Sequence, residues 1–579
     1  YDPDRLQAPL APGRKNLASG TSWEDLDSKV VDKIRAARGK TRILMGETSS
    51  PSAWKAVTDF TSQLGAGVPV VWEPQGLDEL LNAQDAAYGT RVAPRLRFDR
   101  ANYVLSFGAD FLGNWLNPVA FGKDFSKRKK LGAIASKKAE PLRFVAIESM
   151  LTLTGSNADR RLRVNSGGEV RAALAIAHEL IVNQSKTRYS SDSSVRALLE
   201  AHSVSTVSKD LGIDASALKK VANELWADRG KSIVVGAGHG LKGAAGNALE
   251  VVVALLNSAL ENEGNTVDGT TTPFERRTNF EALTKLIRDM KAGAVDVLVI
   301  SGVNPAYGLP KNAGFEEALA KVGTVVYVGT KFDETARLSD YVAAASHALE
   351  AWGDAEAQRD LFSIQQPTIR PLYNTRSFEE TLMAWAKKLG MSGALVTSPT
   401  WHEFVKSNWK NTIYSNFSIS APFALFWESL LREGVFDGVA AKGSRELGTS
   451  RARSFDTSSL RSVAEWTAKN GGVTSEMTLV LYPKIGMYDG RSANNGWLQE
   501  LPDPISKITW DNYAALSVAT AKKLGVVEGD VLRLKTSSGE LHVPAHVQPG
   551  VHDQVVALAV GYGRIGSGRV SENVGVNAY

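Results

Sequence analysis

Short apolar runs alternate with amphipathic stretches along most of the chain. The apolar runs have the length of buried strands: Thr41–Met45, Val68–Trp72, Tyr103–Phe107, Phe144–Ile147, Ser232–Val235, Val297–Ile300 and Thr324–Val328. Stretches with helical spacing lie between them, such as Ser52–Leu64, Glu169–Ile181 and the segment after Gly243. Strand–helix alternation is typical of parallel sheets with helices on both faces. The pattern therefore predicts an α/β fold.

The carboxyl-terminal part of the chain has a different pattern. Its apolar runs are short and rich in β-formers (Val531–Leu534, Leu541–Val547 and Val555–Val560), and turn residues such as Pro549–Gly550 separate them. Closely spaced short strands predict a small β-barrel domain. The whole chain has 579 residues. Typical domain sizes suggest roughly three or four packed units for such a length.

Two segments repeat one arrangement. Val104–Pro118 and Leu298–Pro310 each contain a predicted strand, then a glycine (Gly108 or Gly302), then an Asn-Pro pair. Open α/β sheets bind ligands at the carboxyl ends of their strands, where these turns are expected. The repeat indicates either two related α/β units or a chance similarity, and both interpretations stay open.

The segment Gly238–Gly243 fits the spacing G-x-G-x-x-G, with Gly240 as its second glycine. It follows a predicted strand and opens a predicted helix, whose amino end would offer N–H groups to a phosphate. The acidic residue that dinucleotide sites carry about twenty residues later would be Glu261 or Glu263, but both end the helix. A tight turn that needs glycines for close packing is the favoured interpretation, and NAD or FAD binding is the alternative.

Composition excludes several kinds of site. There are 67 basic and 62 acidic residues, a net charge of +5. The densest basic cluster, Lys127–Lys130 with Lys137 and Lys138, predicts a solvated loop rather than a nucleic-acid interface, with acidic lipid headgroups as a further alternative. The chain has no cysteine, so Cys-ligated zinc and iron–sulfur clusters are excluded within it. No apolar run reaches the roughly 18 residues of a membrane span, and Leu249–Leu260 predicts a buried helix.

The common catalytic and metal motifs are missing from the sequence. No two histidines form an H-x-x-x-H pair on a predicted helix. His542 and His546 are four apart, but they lie in a β segment, where that spacing spans about 13 Å. Neither a G-x-S-x-G elbow nor a P-loop occurs. The residues alone therefore predict no metal site and no catalytic nucleophile.

Several passages carry a family resemblance. Tyr1–Pro9 resembles the segment that follows the amino-terminal cluster region in molybdopterin oxidoreductases. The passages that resemble the large iron–sulfur subunit of alternative complex III are Ser106–Pro118, Glu350–Arg376, Asn495–Ala514 and Val560–Tyr579. Together these passages spread the resemblance over essentially the whole chain.

The resemblance implies two interleaved Rossmann-like α/β domains and a carboxyl-terminal β-barrel domain like those that bind molybdopterin dinucleotides. On this basis we expect a first α/β domain in two parts, residues 1–160 and 336–474. A second α/β domain would be inserted between them at residues 161–335. The barrel domain would follow at residues 475–579.

The resemblance also implies where a metal would lie. Catalytic relatives hold molybdenum or tungsten between two pterin cofactors, with a Cys, selenocysteine, Ser or Asp ligand. That ligand position falls near Trp72–Pro74, which offers none of these side chains. We therefore expect a cofactor-free chain without catalytic or metal-binding residues. Its vestigial cleft would be formed by residues at strand ends, namely Gly108, Asp110, Gly238, Gly240, Gly302 and Asn304.

Two alternatives to a cofactor-free chain stay open. The first is an active molybdenum or tungsten enzyme with Ser106 or Asp110 as the metal ligand. The second is a stand-alone protein that binds a small anion or a nucleotide in the strand-end cleft.

The expected role is that of a scaffold in a quinol-oxidising membrane complex. The resemblance implies iron–sulfur clusters in a downstream part of the protein, multihaem c-type cytochrome subunits and an integral membrane quinol-binding subunit as partners. It also implies export by the twin-arginine route to the periplasmic side of the membrane. Four tryptophans near predicted loops are expected either to anchor subunit interfaces or to pack between domains: Trp115, Trp352, Trp497 and Trp510.

Overall fold

The computed structural model describes residues 1–14, 19–130, 141–269, 277–417, 419–441, 452–470 and 476–579. Two residues of the basic cluster, Lys137 and Lys138, lie outside these ranges. The strands in chain order are β1 (Thr41–Met45), β2 (Val70–Val71), β3 (Arg95–Leu96), β4 (Tyr103–Phe107), β5 (Arg143–Glu148), β6 (Arg160–Arg163), β7 (Ser232–Val235), β8 (Val267–Asp268), β9 (Val297–Ser301), β10 (Thr324–Gly329), β11 (Tyr341–Ala344), β12 (Gly353–Gln358), β13 (Leu361–Gln365), β14 (Val435–Asp437), β15 (Thr478–Pro483), β16 (Ala514–Leu516), β17 (Val531–Lys535), β18 (Glu540–Val547) and β19 (Val555–Val560).

The helices occupy the segments between these strands. In chain order they are α1 (Trp23–Ala36), α2 (Pro51–Gln63), α3 (Asp78–Tyr88), α4 (Pro118–Lys129), α5 (Leu153–Ser156), α6 (Gly168–His178), α7 (Ser193–Leu199), α8 (Val204–Leu211), α9 (Ala215–Ala227), α10 (Gly243–Ala259), α11 (Phe280–Lys291), α12 (Pro305–Gly308), α13 (Phe315–Leu319), α14 (Glu334–Arg337), α15 (Phe378–Leu389), α16 (Ala394–Thr397), α17 (Trp401–Asn408), α18 (Phe423–Glu433), α19 (Gly438–Ala441), α20 (Leu460–Asn470), α21 (Gly496–Glu500) and α22 (Val518–Leu524).

The first α/β domain is built on a parallel sheet with the strand order β11-β10-β9-β1-β2. Its central strands are covered on both faces. Within β1, Ile43 and Met45 contact one apolar core and Leu44 contacts the other. Burial on both faces explains why these strands read as continuous apolar runs rather than as alternating ones.

The second α/β domain is inserted in the chain between β2 and β9. Its sheet is also parallel, with the order β6-β5-β4-β7. Strands β3 and β8 pair antiparallel at the two ends of the insertion, so the chain leaves the insertion next to where it entered. Helix α10 packs on this sheet and is buried along most of its length, as the sequence predicted for Leu249–Leu260.

The polar residue within that apolar run, Asn257, forms hydrogen bonds with the edge of the sheet. Strand β7 lies at the edge of its sheet, so one side of its backbone lacks a neighbouring strand. The side-chain amide of Asn257 accepts a hydrogen bond from the N–H of Val234 (3.1 Å) and donates one to the carbonyl oxygen of the same residue (2.8 Å). Helix α10 thereby satisfies a buried sheet edge.

The predicted domain boundaries do not follow these sheets. Strands β4 and β5 lie within the predicted first part, residues 1–160, but they pair with β7 and β6 of the insertion. Strands β9 and β10 lie within the predicted inserted part, residues 161–335, but they belong to the sheet of β1. Helix α20, assigned to residues 336–474, contributes Leu460 and Val463 to the core of the inserted domain. The sheet that contains β4 to β7 is formed by the chain between β2 and β9, and the division into domains stays a prediction.

The carboxyl-terminal domain holds the short strands predicted there. Its sheet has the order β15-β19-β16-β18-β17 and mixes parallel and antiparallel pairs. A smaller antiparallel sheet, β12-β13-β14, lies beside the first α/β domain. Across the described ranges, no helix combines the length and the apolar character that a membrane span requires.

Candidate functional site

Pairs of glycines form the carboxyl ends of adjacent strands in both α/β sheets. Gly108 follows β4 and Gly238 follows β7, both with left-handed backbones (φ +75° and +55°). A Cβ atom on Gly238 would lie 2.2 Å from the carbonyl oxygen of Gly108. In the other sheet, a Cβ atom on Gly46, after β1, would lie 2.7 Å from the carbonyl oxygen of Gly302, after β9. The arrangement repeated in the sequence therefore corresponds to equivalent turns in the two sheets.

The carboxyl-terminal domain lies across both sets of strand ends and divides the space into three parts. We call them the insert cleft, which faces the inserted domain; the parent cleft, which faces the first α/β domain; and the central cavity between them. Of the predicted cleft residues, Gly108, Asp110 and Gly240 line the insert cleft, and Gly302 and Asn304 line the parent cleft. Gly238 packs beneath the insert cleft against Gly108.

The insert cleft is nearly closed. Its volume is about 70 Å³, and apolar side chains from both of its walls line it, among them Met150, Leu151 and Ile485. Sites for cofactors and other drug-sized ligands usually measure about 300–1,000 Å³. The insert cleft therefore has room for a few water molecules and not for a pterin dinucleotide.

A lysine and a histidine lie at the insert cleft without carrying catalytic geometry. Burial lowers the pKa of Lys484 to about 8, opposed by the charges of Asp503 and Asp511. Its ammonium donates to the carbonyl oxygen of Asp511 (3.1 Å) and to the hydroxyl of Tyr562 (3.3 Å). Burial, together with the nearby charge of Lys242, lowers the pKa of His239 to about 3, so this imidazole is neutral.

The two alternative metal ligands named from the sequence are engaged elsewhere. The hydroxyl of Ser106 lies inside the sheet and donates to the carbonyl oxygen of Ala109 (3.1 Å). The carboxylate of Asp110 accepts the backbone N–H of Thr154 (2.9 Å), while burial raises its pKa. Each residue shapes the turn after β4, and neither presents a free donor for a metal.

The parent cleft is open, with a volume of about 580 Å³. At its floor the side chain of Asn304 donates to Glu334 (2.6 Å) and accepts from the hydroxyl of Thr335 (2.6 Å). Glu334 in turn pairs with Arg564 of the carboxyl-terminal domain (2.9 Å). The predicted residue Asn304 therefore takes part in holding the two domains together at this cleft.

The central cavity, of about 470 Å³, is lined by all three domains. The position predicted for a metal ligand borders it. Trp72 is buried in the core, and Pro74 packs beside Gly308, so only the carboxylate of Glu73 faces the cavity. That carboxylate forms an ion pair with Arg491 of the carboxyl-terminal domain.

The guanidinium of Arg491 is held by two carboxylates. Besides Glu73, it donates from Nη2 to Asp489 at 2.7 Å and from Nε to the same carboxylate at 3.0 Å. Burial raises the pKa of Glu73, the charge of Arg491 opposes this rise, and Asp489 adds to it. We call Glu73, Asp489 and Arg491 the ion cluster.

These residues do not fit a metal between two pterins. The insert cleft is too small for one of the two cofactors, and a guanidinium already lies at the central cavity. Within the described ranges, no group of three or more His, Asp and Glu side chains could hold a metal ion. Nδ1 of His239 is buried and lacks a hydrogen-bond partner, but a single imidazole nitrogen does not make a metal site.

Sequence reasoning missed Arg491, Asp489 and Lys484. Arg491 lies 418 residues from its partner Glu73, and no periodicity or motif connects the two positions. The sequence signal that existed was indirect: the register estimate that placed Glu73 at the ligand position.

Comparison with known proteins agrees with this architecture. Residues 491–579 match the family described as the Molydopterin dinucleotide binding domain. The solved structure of acetylene hydratase from Pelobacter acetylenicus superposes with a TM-score of 0.71, covering 96% of this chain and 85% of that chain at 14% identity. The fold is therefore α/β, with parallel sheets and a carboxyl-terminal molybdopterin-dinucleotide-binding domain, as the sequence predicted.

Two relatives are similar to this chain over almost its whole length. The menaquinone reductase, molybdopterin-binding-like subunit, of Nitratidesulfovibrio vulgaris is 24% identical over 607 aligned positions, covering 100% of this chain and 81% of that protein. The arsenate respiratory reductase molybdopterin-containing subunit ArrA of Shewanella sp. (strain ANA-3) is 21% identical, covering 98% of this chain and 83% of that protein. Residues 491–579 thus match the dinucleotide-binding family, and over its whole length the chain is similar to molybdopterin-binding-like and molybdopterin-containing subunits of reductases.

Proposed function

We propose that this chain is a cofactor-free scaffold subunit of a membrane-bound, quinone-linked respiratory complex. The observation that carries the proposal is the ion cluster, in which Glu73, at the position that the family resemblance predicts for the metal ligand, pairs with Arg491. The small volume of the insert cleft supports it further, because a bis-pterin centre needs both clefts. The link to quinone chemistry is supported by the similarity to the molybdopterin-binding-like subunit of a menaquinone reductase.

The finer proposal is that the complex is alternative complex III and the chain its large iron–sulfur subunit. This rests on the resembling passages, above all Glu350–Arg376 and Asn495–Ala514. The partners would then be multihaem c-type cytochromes and an integral membrane quinol-binding subunit on the periplasmic side. The iron–sulfur clusters would be carried outside these residues, because the chain has no cysteine to ligate them.

The surface offers anchors for such partners. Of the four tryptophans considered from the sequence, Trp115 is buried, and Trp352 packs on the ring of His402 at 4.2 Å between centroids. Trp497 is 85% exposed on the short helix α21, and Trp510 is 37% exposed nearby in the chain. Exposed tryptophans are typical anchors of protein interfaces. We propose that Trp497 and Trp510 contact a partner subunit.

The test is elemental analysis of the full-length protein, purified natively with its partners from the membrane. We expect iron, from clusters and haem, without stoichiometric molybdenum or tungsten, and we expect haem and membrane subunits to co-purify. One molybdenum or tungsten per chain would refute the proposal and return attention to Ser106 and Asp110. A metal-free chain that purifies without any partner would refute the scaffold role.

A further inference from the structure

We infer that the ion cluster links the two sides of the central cavity and holds the carboxyl-terminal domain against the first α/β domain. The inference rests on the proposed function, because it concerns a chain without a metal. It assigns Arg491 and Glu73 a specific positioning role that the cofactor-free state alone does not require.

The two sides of the link come from different domains. Glu73 follows β2 at the edge of the first α/β sheet, and Arg491 lies in the segment between β15 and α21 of the carboxyl-terminal domain. Each of the two side chains is also held by hydrogen bonds within its own domain. The second carboxylate oxygen of Glu73 accepts the backbone N–H of Glu47 (2.9 Å). Asp489 accepts from both the side chain and the backbone N–H of Arg491. Preorganised partners lose less conformational entropy when they pair.

The charges explain why the link also excludes a metal. Two carboxylates surround one guanidinium, and Arg remains protonated at any physiological pH. The planar fork of Arg491 binds both carboxylates at once, which a lysine ammonium does with less geometric control. A metal cation placed beside this fixed positive charge would be repelled, and its carboxylate neighbours are already paired.

The inserted domain contacts the segment beside the ion cluster through two aromatic rings. His239 meets the ring of Tyr488 edge to face, with 6.3 Å between centroids, and Tyr488 directly precedes Asp489. Because the imidazole is neutral, it adds no competing charge. All three domains therefore converge on the segment from Lys484 to Arg491, and the ion cluster fixes that segment to the first domain.

A double-mutant cycle in the full-length protein within its complex tests the inference. The variants are Glu73→Gln, Arg491→Gln and the combination of both. The readout is backbone hydrogen exchange, measured by mass spectrometry, in residues 46–50 and 484–490. We expect each single variant to raise exchange in both segments about tenfold, within the usual range for coupled neighbours. The double variant should exchange no faster than either single variant.

Two further variants serve as controls. Arg533→Gln removes an exposed pair within the carboxyl-terminal domain (3.9 Å to Glu540) and should leave both segments unchanged. Arg491→Lys keeps the charge and should give an intermediate rate, which also keeps the test valid if Arg491→Gln does not fold. Additive effects of the single variants, or unchanged exchange in them, would overturn the inference. Metal content is measured separately, so stoichiometric molybdenum would count against the proposed function, and unchanged exchange in a metal-free chain against the inference alone.

Discussion

A buried ion pair near the start of the chain provides the most quantitative prediction. The guanidinium of Arg5 donates to both oxygens of Glu350, at 3.0 and 2.8 Å, and the side chain of Glu350 is 0% exposed. The same carboxylate accepts the backbone N–H groups of His347 and Leu372. The pair thus attaches the amino-terminal segment to the first α/β domain. The perturbation is Glu350→Gln, which keeps the shape and removes the charge.

Two estimates of the cost agree. The hydrogen bonds from Arg5, against the opposing effect of burial, lower the pKa of Glu350 from 4.5 to about 2. A shift of this size corresponds to about 3 kcal/mol of stability when each pKa unit is worth about 1.4 kcal/mol. Removing one partner of a buried pair leaves the other charge uncompensated and costs roughly 3–5 kcal/mol. We expect Glu350→Gln to destabilise the protein by about 3 kcal/mol at pH 7.

The pH dependence has a definite sign. Because the pKa of Glu350 is lower in the folded than in the unfolded protein, its contribution is complete above pH 4.5 and is lost as the pH falls toward 2. The stability difference between the wild type and Glu350→Gln should therefore be constant from about pH 6 to 8, because Glu350 is ionised in both the folded and the unfolded protein in this range. It should shrink steadily below pH 4.5.

The assay is urea unfolding followed by tryptophan fluorescence, since Trp385 and Trp409 are fully buried in the first α/β domain. The control is Glu317→Gln, whose side chain is 83% exposed and lies 3.9 Å from Lys291. An exposed pair contributes about 0–1 kcal/mol, so the control should hardly change the midpoint. A loss below about 1 kcal/mol for Glu350→Gln, or a difference that does not shrink in acid, would refute the reasoning.

Three further predictions concern the clefts and the surface. Gly238→Ala should cost at least about 2 kcal/mol in urea unfolding, because its Cβ atom would lie 2.2 Å from a carbonyl oxygen. Gly212→Ala, with the same left-handed backbone and open space, should cost only about 1 kcal/mol. Burial lowers the pKa of Lys484 from 10.5 to about 8, so the folded wild type is destabilised by the charged lysine at low pH and gains stability as the pH rises through this range. The free energy of unfolding of Lys484→Met relative to the wild type should therefore fall by about 3 kcal/mol between pH 8 and 10.5, measured by thermal unfolding; a difference that does not change with pH would contradict this. Trp497→Ala should weaken co-purification of partner subunits without changing the melting temperature, whereas Val119→Ala, equally exposed at 85% on the inserted domain, should do neither.

Local features of the fold were predictable because they depend on neighbouring residues. Strands β1 and β4 have the predicted limits, since each is a short, mostly apolar segment whose residues are largely buried. The predicted strand Val68–Trp72 is reduced to Val70–Val71. Pro69 within it has no N–H to donate to a sheet, which limits the strand at that end.

The assignment of strands to domains was not predictable in the same way. Strands β1 and β4 have similar local sequences, and only long-range pairing decides that one joins β9 and the other β5. The ion cluster was not predicted for the same reason: Arg491 and Glu73 are distant in sequence, and no motif marks its charged residues. The turns with Gly108 and Gly302 were found because a close backbone approach demands a residue type that the sequence shows directly.

The glycine pairs at the strand ends have a consequence for the shape of the clefts. Where two backbones touch without side chains, the floor of the cleft consists of peptide groups, and these are the same whatever residues surround them. Such a floor keeps its shape while the walls change. A substitution in the walls therefore changes the width of a cleft without moving the strand ends beneath it.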